Sequence, residues 1–268
     1  MAVVVVLAVV VLVARPWASD GSPAVHAGPA VVSGAPAGWV QVFADDFDGT
    51  SLDRSVWQPD RSGDKAGEPF NPVIEDGWFN PDDVSVSHGS LLLTVGGDGR
   101  TIHGRSYGHS SGMVQSNAAI PLTPTRYLEA RIRFPECSGC WPAFWMVPVD
   151  RWPPEIDIAE FLETSSKTRP SFNYFDANEK ETGGHEYGDA AVDYRDEFHT
   201  YGALWEGDRI VPYIDGKPYP AVEATANVTS IPMMIILNLS VRGGYDTRPG
   251  EQMQVDWVRV WAPPAPSS

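Results

Sequence analysis

The segment Glu155-Ile156-Asp157-Ile158-Ala159-Glu160 places three carboxyl groups in an otherwise apolar stretch. Side chains of a strand alternate between its two faces. Glu155 and Asp157 then share one face, and Ile156 and Ile158 share the other. Strict alternation would put Ala159, not Glu160, beside the acids. A single-residue bulge at Ile158-Ala159 shifts the phase and returns Glu160 to the acidic face. This spacing predicts three carboxyls on one side of a bulged strand. The competing reading is a solvent-facing acidic row on an edge strand.

Carboxyls arranged this way suit one chemistry in particular. Glycoside hydrolysis needs two carboxyls across the scissile bond, roughly 5–5.5 Å apart in enzymes that retain configuration. A third carboxyl between them pushes the pKa values apart, so that one group stays protonated near neutral pH. Outward from the acids, short apolar runs are separated by Gly, Pro, Asn and Asp. The runs include Leu91–Val95, Tyr127–Phe134, Ala143–Val147, Arg209–Ile214, Met233–Leu239 and Gln254–Trp261. Asp215-Gly216 between an alternating run and Lys217-Pro218 reads as a hairpin turn. Long amphipathic helical patterns are missing, so the expected class is all-β, a sandwich or jelly roll.

The chain has 268 residues and a formal charge of -16. A strongly acidic protein lacks the basic face that nucleic acid or an anionic membrane requires. A neutral polysaccharide remains compatible. Residues 1–27 hold an unbroken apolar run, Met1–Val13, and then Val25-His26-Ala27, a small-residue cleavage site. This segment is expected to be a signal peptide, or failing that an N-terminal anchor. Residues 28–38 read as a linker and residues 39–263 as one catalytic domain, expected to be secreted and to act as a monomer. Cys137 and Cys140 have neither the βαβ setting of a redox motif nor the further ligands of a zinc site. In an exported protein they are expected to form a local disulfide.

Trp141-Pro142-Ala143-Phe144-Trp145-Met146, then Trp152-Pro153-Pro154, lead into the acidic segment. Further along come Phe198-His199-Thr200-Tyr201-Gly202, Tyr213-Ile214-Asp215-Gly216 and Val255-Asp256-Trp257-Val258-Arg259-Val260. Together these closely resemble glycoside hydrolase family 16, from about Phe43 to Trp261, and the six-residue acidic motif resembles its laminarinase branch. The resemblance implies a β-jelly roll of the concanavalin A type with the acids in a cleft. It implies that Glu155 is the nucleophile, Glu160 the general acid/base and Asp157 an assisting carboxylate. No cofactor is implied for catalysis. A structural calcium ion on the convex face would use Asp46, Gly89 and Asp256. Asn173, Phe175 and Asn238 match sugar-contacting positions of lichenases, whereas many laminarinases carry a His in the 172–175 strand and an Arg at Met113. Trp141 and Trp152 are further candidates for sugar stacking, against the alternative of plain packing. Trp145 is expected in the core, and His199 is expected to be structural.

Gly108-His109-Ser110-Ser111-Gly112 satisfies the G-x-S-x-G pattern of serine hydrolases, but no helix-forming segment follows it. The leading expectation is an endo-acting β-1,3-glucanase that works with retention. The same reaction on mixed-linkage β-1,3-1,4-glucan or a β-galactan such as agarose is an alternative. A non-catalytic jelly-roll lectin is an alternative of a different class, and fold alone does not separate these.

Overall fold

The computed structural model describes residues 33–117, 123–162, 164 and 167–265. The apolar segment 1–27 and the first residues of the 28–38 linker lie outside these. Among the described residues the structure is strand and loop, with three short 3-10 turns at Gly63–Lys65, Pro81–Asp83 and Pro220–Val222. The expected all-β class is what the chain adopts.

Two large sheets face each other. One runs in the order Glu181–Glu186, Ser171–Phe175, Glu155–Glu160, Cys140–Val147, Met234–Val241, Met113–Ser116 and Trp57–Gln58. The other centres on Arg126–Arg133 and Gln252–Ala262, flanked by His199–Glu206 on one side and Ser90–Gly96 on the other. Alternation fills the space between them. Phe144, Met146, Phe172, Tyr174, Leu237 and Leu239 from the first sheet meet Leu128, Ala130, Ile132, Tyr201, Val258 and Val260 from the second. Each such side chain contributes on the order of 1.5–3 kcal/mol through burial. The opposite face of the first sheet is left free to line a cleft.

The acidic strand lies in the middle of its sheet, not at the edge. It pairs antiparallel with Cys140–Val147 on one side and Ser171–Phe175 on the other. Phe144 pairs with Ala159 and Trp145 with Asp157, so the ladder skips Ile158. Ile156, Ile158 and Ala159 are all fully buried in the inter-sheet core. Two successive residues therefore point inward, and Glu160 emerges on the same side as Glu155 and Asp157. A bulge frees backbone groups that must find partners. Here the Tyr187 hydroxyl, itself buried, donates to the Ile158 carbonyl at 2.6 Å.

Asp215 and Gly216 both take positive φ, 50° and 73°, and connect Arg209–Ile214 to Lys217–Pro218 as expected. Positive φ at both central residues is what a type I′ hairpin needs. Cys137 and Cys140 are paired, and the loop they close contains Gly139 at φ 76°. The last residues of the predicted linker dock on the second sheet. Ser33 Oγ and the Gly34 N–H donate to the buried Glu129 carboxylate at 2.8 and 3.2 Å.

The bulge makes a sharp expectation. Deleting Ile158 leaves Glu-Ile-Asp-Ala-Glu, which keeps all three acids on one face by plain alternation. The deletion variant should still unfold cooperatively. Inserting an alanine after Ala159 turns Glu160 toward the core, where an unpaired carboxylate costs several kcal/mol. Thermal unfolding followed by circular dichroism should show a far larger loss for the insertion than for the deletion.

Candidate active site

A cleft of about 890 Å³ opens on the acidic face of the first sheet. Glu155, Asp157 and Glu160 line it, together with Trp141, Trp145, Trp152, Asn173, Phe175 and Asn238. The opposite wall comes from the 61–75 loop, through Arg61, Phe70, Asn71 and Glu75. All three acids and every substrate-binding position expected from sequence thus fall in one cavity.

The two outer acids are held by different groups. Glu155 Oε2 accepts from the Trp152 indole N–H at 2.9 Å. Trp152 is 52% exposed, and its ring lies 6.2 Å from that of Phe175, so the pair forms an apolar wall beside Glu155. Both peptide bonds of the Trp152-Pro153-Pro154 turn are cis. Glu160 Oε1 accepts from the Trp141 indole N–H at 2.7 Å, and Oε2 accepts from the Asn173 amide at 2.7 Å. Asn238 lies across the strand from Glu160, since both pair with Ala143. Its Oδ1 accepts from Trp145 Nε1 at 2.7 Å, and its amide donates to Ser240 Oγ at 3.1 Å.

Burial and mutual repulsion raise the pKa of the whole acidic row. Glu155 is pushed up to about 7, first by burial and then by the Glu160 charge, with the Trp152 bond pulling the other way. Asp157 is 5% exposed and is held well above the usual carboxylate range by burial and by both neighbours. Glu160 is raised by burial, and its bonds from Trp141 and Asn173 oppose the rise. Three such groups titrate as one system. A proton retained on Asp157 removes negative charge from between the two glutamates. One outer acid can then ionise while the other stays protonated, which is the state needed for acid-assisted nucleophilic attack.

Two residues of the cleft, Glu75 and Glu181, and one beside it, Arg242, have no signal in the sequence. Glu75 is 1% exposed and pushed up to about 7 by burial, with Oε1 accepting from the Asn71 N–H. Glu181 lines the cleft opposite Phe175, and its charge helps to raise Asp157 and Glu160. Arg242 lies just beyond the Met234–Val241 strand and lowers Glu160. Each meets the acids through tertiary packing, which no local spacing encodes.

Some expectations need correction or closing. Trp145 is buried, but it belongs to a small cluster under the cleft with Phe79, Met113 and Ile236, not to the inter-sheet core. It shares its face with Trp141 and Ala143, because odd positions of that strand all turn toward the cleft. Gly108–Gly112 contains the strand His109–Ser111 and is followed by the strand Met113–Ser116, so no serine elbow forms. His199 bonds Asp215 at 2.7 Å and is structural. Strand pairing brings Asp46, Gly89 and Asp256 to one region of the second sheet. Asp256 is already bonded by Arg131 at 2.6 Å and Asp46 by Arg259 at 2.7 Å. No group of three or more His, Cys, Asp or Glu suited to a metal occurs among the described residues. A calcium ion would compete with Arg131 for the carboxylate of Asp256. The expected ligands are two backbone carbonyls and the Asp256 carboxylate, hard oxygen donors of the kind calcium takes, and no chemical step depends on the ion.

Residues 78–259 match the profile of the glycosyl hydrolases family 16. The chain belongs to that family. It is 29% identical over 248 residues to an endo-1,3-1,4-beta-glycanase, ExsH, of Rhizobium meliloti, an alignment covering 83% of this chain and 51% of that relative. It is 27% identical over 261 residues to the glucan endo-1,3-beta-glucosidase A1 of Niallia circulans, covering 84% of this chain and 38% of that one. The chain thus spans about half the length, or less, of these curated relatives. Among solved structures, an endo-1,3-beta-glucanase from Streptomyces sioyaensis superposes with a TM-score of 0.67 at 25% identity, covering 86% of this chain and 99% of that one. The family's jelly-roll sandwich and its assignment to the glycoside hydrolases agree with the cleft and its acids.

The raised carboxyls make a statement about stability. A pKa higher in the folded than in the unfolded state means that folding favours the protonated form. That stabilisation is complete below the unfolded value and is lost as pH rises through the folded one. For Glu75 and Glu155 the window runs from about 4.5 to about 7. Glu75→Gln and Glu155→Gln should therefore raise the melting temperature by several degrees at pH 8 and leave it nearly unchanged at pH 4. Scanning calorimetry at the two pH values checks this; an equal gain at both would contradict the electrostatic origin.

Proposed function

We propose that this protein is a secreted endo-β-1,3-glucanase that cleaves laminarin-like chains with retention of configuration. The observation that carries the reading is the bulged strand, which sets Glu155 and Glu160 on one cleft wall with the buried Asp157 between them. In the first step Glu155 attacks the anomeric carbon while Glu160 gives its proton to the departing glycosidic oxygen. In the second, Glu160 takes a proton from water, which attacks the same carbon and releases Glu155. Trp152 aims Glu155, while Trp141 and Asn173 aim Glu160 and support its anionic form between the steps. No cofactor takes part.

Aromatic rings at Trp141, Trp152 and Phe175 beside polar Asn173 and Asn238 suit a neutral sugar chain, with apolar C–H faces and a rim of hydroxyls. The relatives' names favour β-1,3 linkages, and the ExsH name extends the reading to mixed β-1,3-1,4 chains. A lectin has no use for three strained carboxyls at the centre of its cleft, which weighs against the binding-only alternative. Export rests on the apolar Met1–Val13 run, and a monomer is the form in which the cleft needs nothing further.

Incubation with laminarin, curdlan, lichenan, agarose and β-1,3-galactan, with linkage analysis of the products, tests the substrate. Release of β-1,3-linked oligosaccharides from laminarin is expected, and cleavage of agarose alone would overturn the glucan reading. Glu155→Gln should lower turnover at least about a thousandfold, since it removes the nucleophile but not the fold. Glu160→Ala should lose activity on laminarin but regain part of it with azide on a laminarioligosaccharide bearing a good aryl leaving group, because that bond breaks without acid help and azide attacks the glycosyl-enzyme without a general base. Failure of azide to rescue would count against Glu160 as the acid/base.

A further inference from the structure

We propose that Arg242 is a positioning residue for Glu160, acting through Trp141 and through its own charge. The inference rests on the reading of Glu160 as acid/base but concerns a different residue. Arg242 follows directly on the Met234–Val241 strand, whose Ser240 pairs with Trp141. Its guanidinium carbon lies 5.9 Å from the centre of the Trp141 ring and 5.8 Å from that of Tyr245. A cation on an aromatic face is attracted by the ring's quadrupole. The Trp141 indole N–H is in turn the donor to Glu160 Oε1 at 2.7 Å.

The arginine has little freedom of its own. Nη1 donates to the Leu162 carbonyl at 3.0 Å, and the backbone N–H donates to the Gly139 carbonyl at 2.8 Å. Its backbone also forms an isolated bridge with Glu75. The residue is thus held at its backbone and at one guanidinium nitrogen, with the Trp141 ring beside it. Gly139 lies in the Cys137–Cys140 disulfide loop, so the staple reaches the catalytic acid through Arg242 and Trp141.

The charges around Glu160 make this position matter. Glu155 and Asp157 share its strand, and Glu181, opposite Phe175 on the Glu181–Glu186 strand, adds its charge from within the same cleft. Glu75 lines the same cleft from the opposite wall. Trp141 and Asn173 are neutral donors. Arg61, Lys65 and Arg151 also line the cleft, and Arg242 is the cation whose charge acts on Glu160 against that of Glu181. Glu160 must carry a negative charge when it activates water in the second step. A guanidinium beside Trp141 makes that charge less costly without forming a salt bridge that would hold the acid ionised in the first step.

Carbon-13 NMR titration of the glutamate side-chain carboxyls tests this, in wild type, Arg242→Gln, Arg242→Ala and Arg242→Lys. The Glu160 signal is identified by its loss in Glu160→Gln. Removing the charge should raise the Glu160 midpoint by roughly half a pH unit, short of the ~1–3 units that an opposite charge within contact range produces. Arg242→Lys should restore most of the shift. The basic limb of the pH profile of kcat/KM on laminarin should move up by the same amount, because Glu160 keeps its proton to higher pH. Arg242→Gln keeps polar bulk and decides the matter if the alanine variant does not fold. An unchanged Glu160 midpoint in folded Arg242→Gln overturns the proposal. A raised midpoint with no movement of the kinetic limb upholds the link between Arg242 and Glu160 and sinks instead the assignment of Glu160 as acid/base.

Discussion

Ile158 and Ala159 are neighbours in sequence and both point into the same core, which a regular strand forbids. The inter-sheet packing accepts both side chains because the ladder to Cys140–Val147 skips Ile158 and the Tyr187 hydroxyl takes up its carbonyl. Everything at the cleft depends on this one local irregularity. It turns Glu160 to the side of Glu155 and Asp157 and brings it under the Trp141 and Asn173 donors. Hydrophobic burial on one face of the strand thereby sets the position of charged groups on the other.

The crowding that results is unfavourable in itself. Three carboxyls share one face of a central strand, with Glu181 and Glu75 facing the same cleft. Burial and the neighbouring charges push the most buried of them, Asp157, toward its protonated form, and neutral N–H donors are directed at the other two. A direct guanidinium bond to any of the three would relieve the repulsion more fully. It would also hold the bound acid ionised and stop it from giving up a proton. Arg242 instead lies against the ring of Trp141, whose indole N–H is the donor to Glu160.

Much of this was legible along the chain. The phase of the acidic segment, the Asp215-Gly216 hairpin and the Cys137–Cys140 pair are local matters, set by alternation, turn conformation and short loop closure. Asn173, Phe175 and Asn238 were expected at the cleft only from the resemblance to lichenases, and the strand register places them there. Trp145 is buried in a core cluster as expected, but on the cleft side of its strand: counting by twos from Trp141 puts both rings there, and Phe70 of the 61–75 loop helps to cover it. Glu75, Glu181 and Arg242 left no trace at all. Their effect on the acids comes from contacts between segments far apart in sequence, and a charged loop residue looks the same whether it faces solvent or a catalytic carboxyl.

The central claim is that Glu155, presented by the bulged strand, forms a covalent bond to the sugar. Reaction with a 2-deoxy-2-fluoro-β-laminaribiosyl fluoride, which slows the second step more than the first, should trap that bond. Mass spectrometry of the digested protein should then find the added disaccharide on Glu155. A label on Glu160, or turnover of laminarin with no label anywhere while the products emerge inverted, would contradict the account.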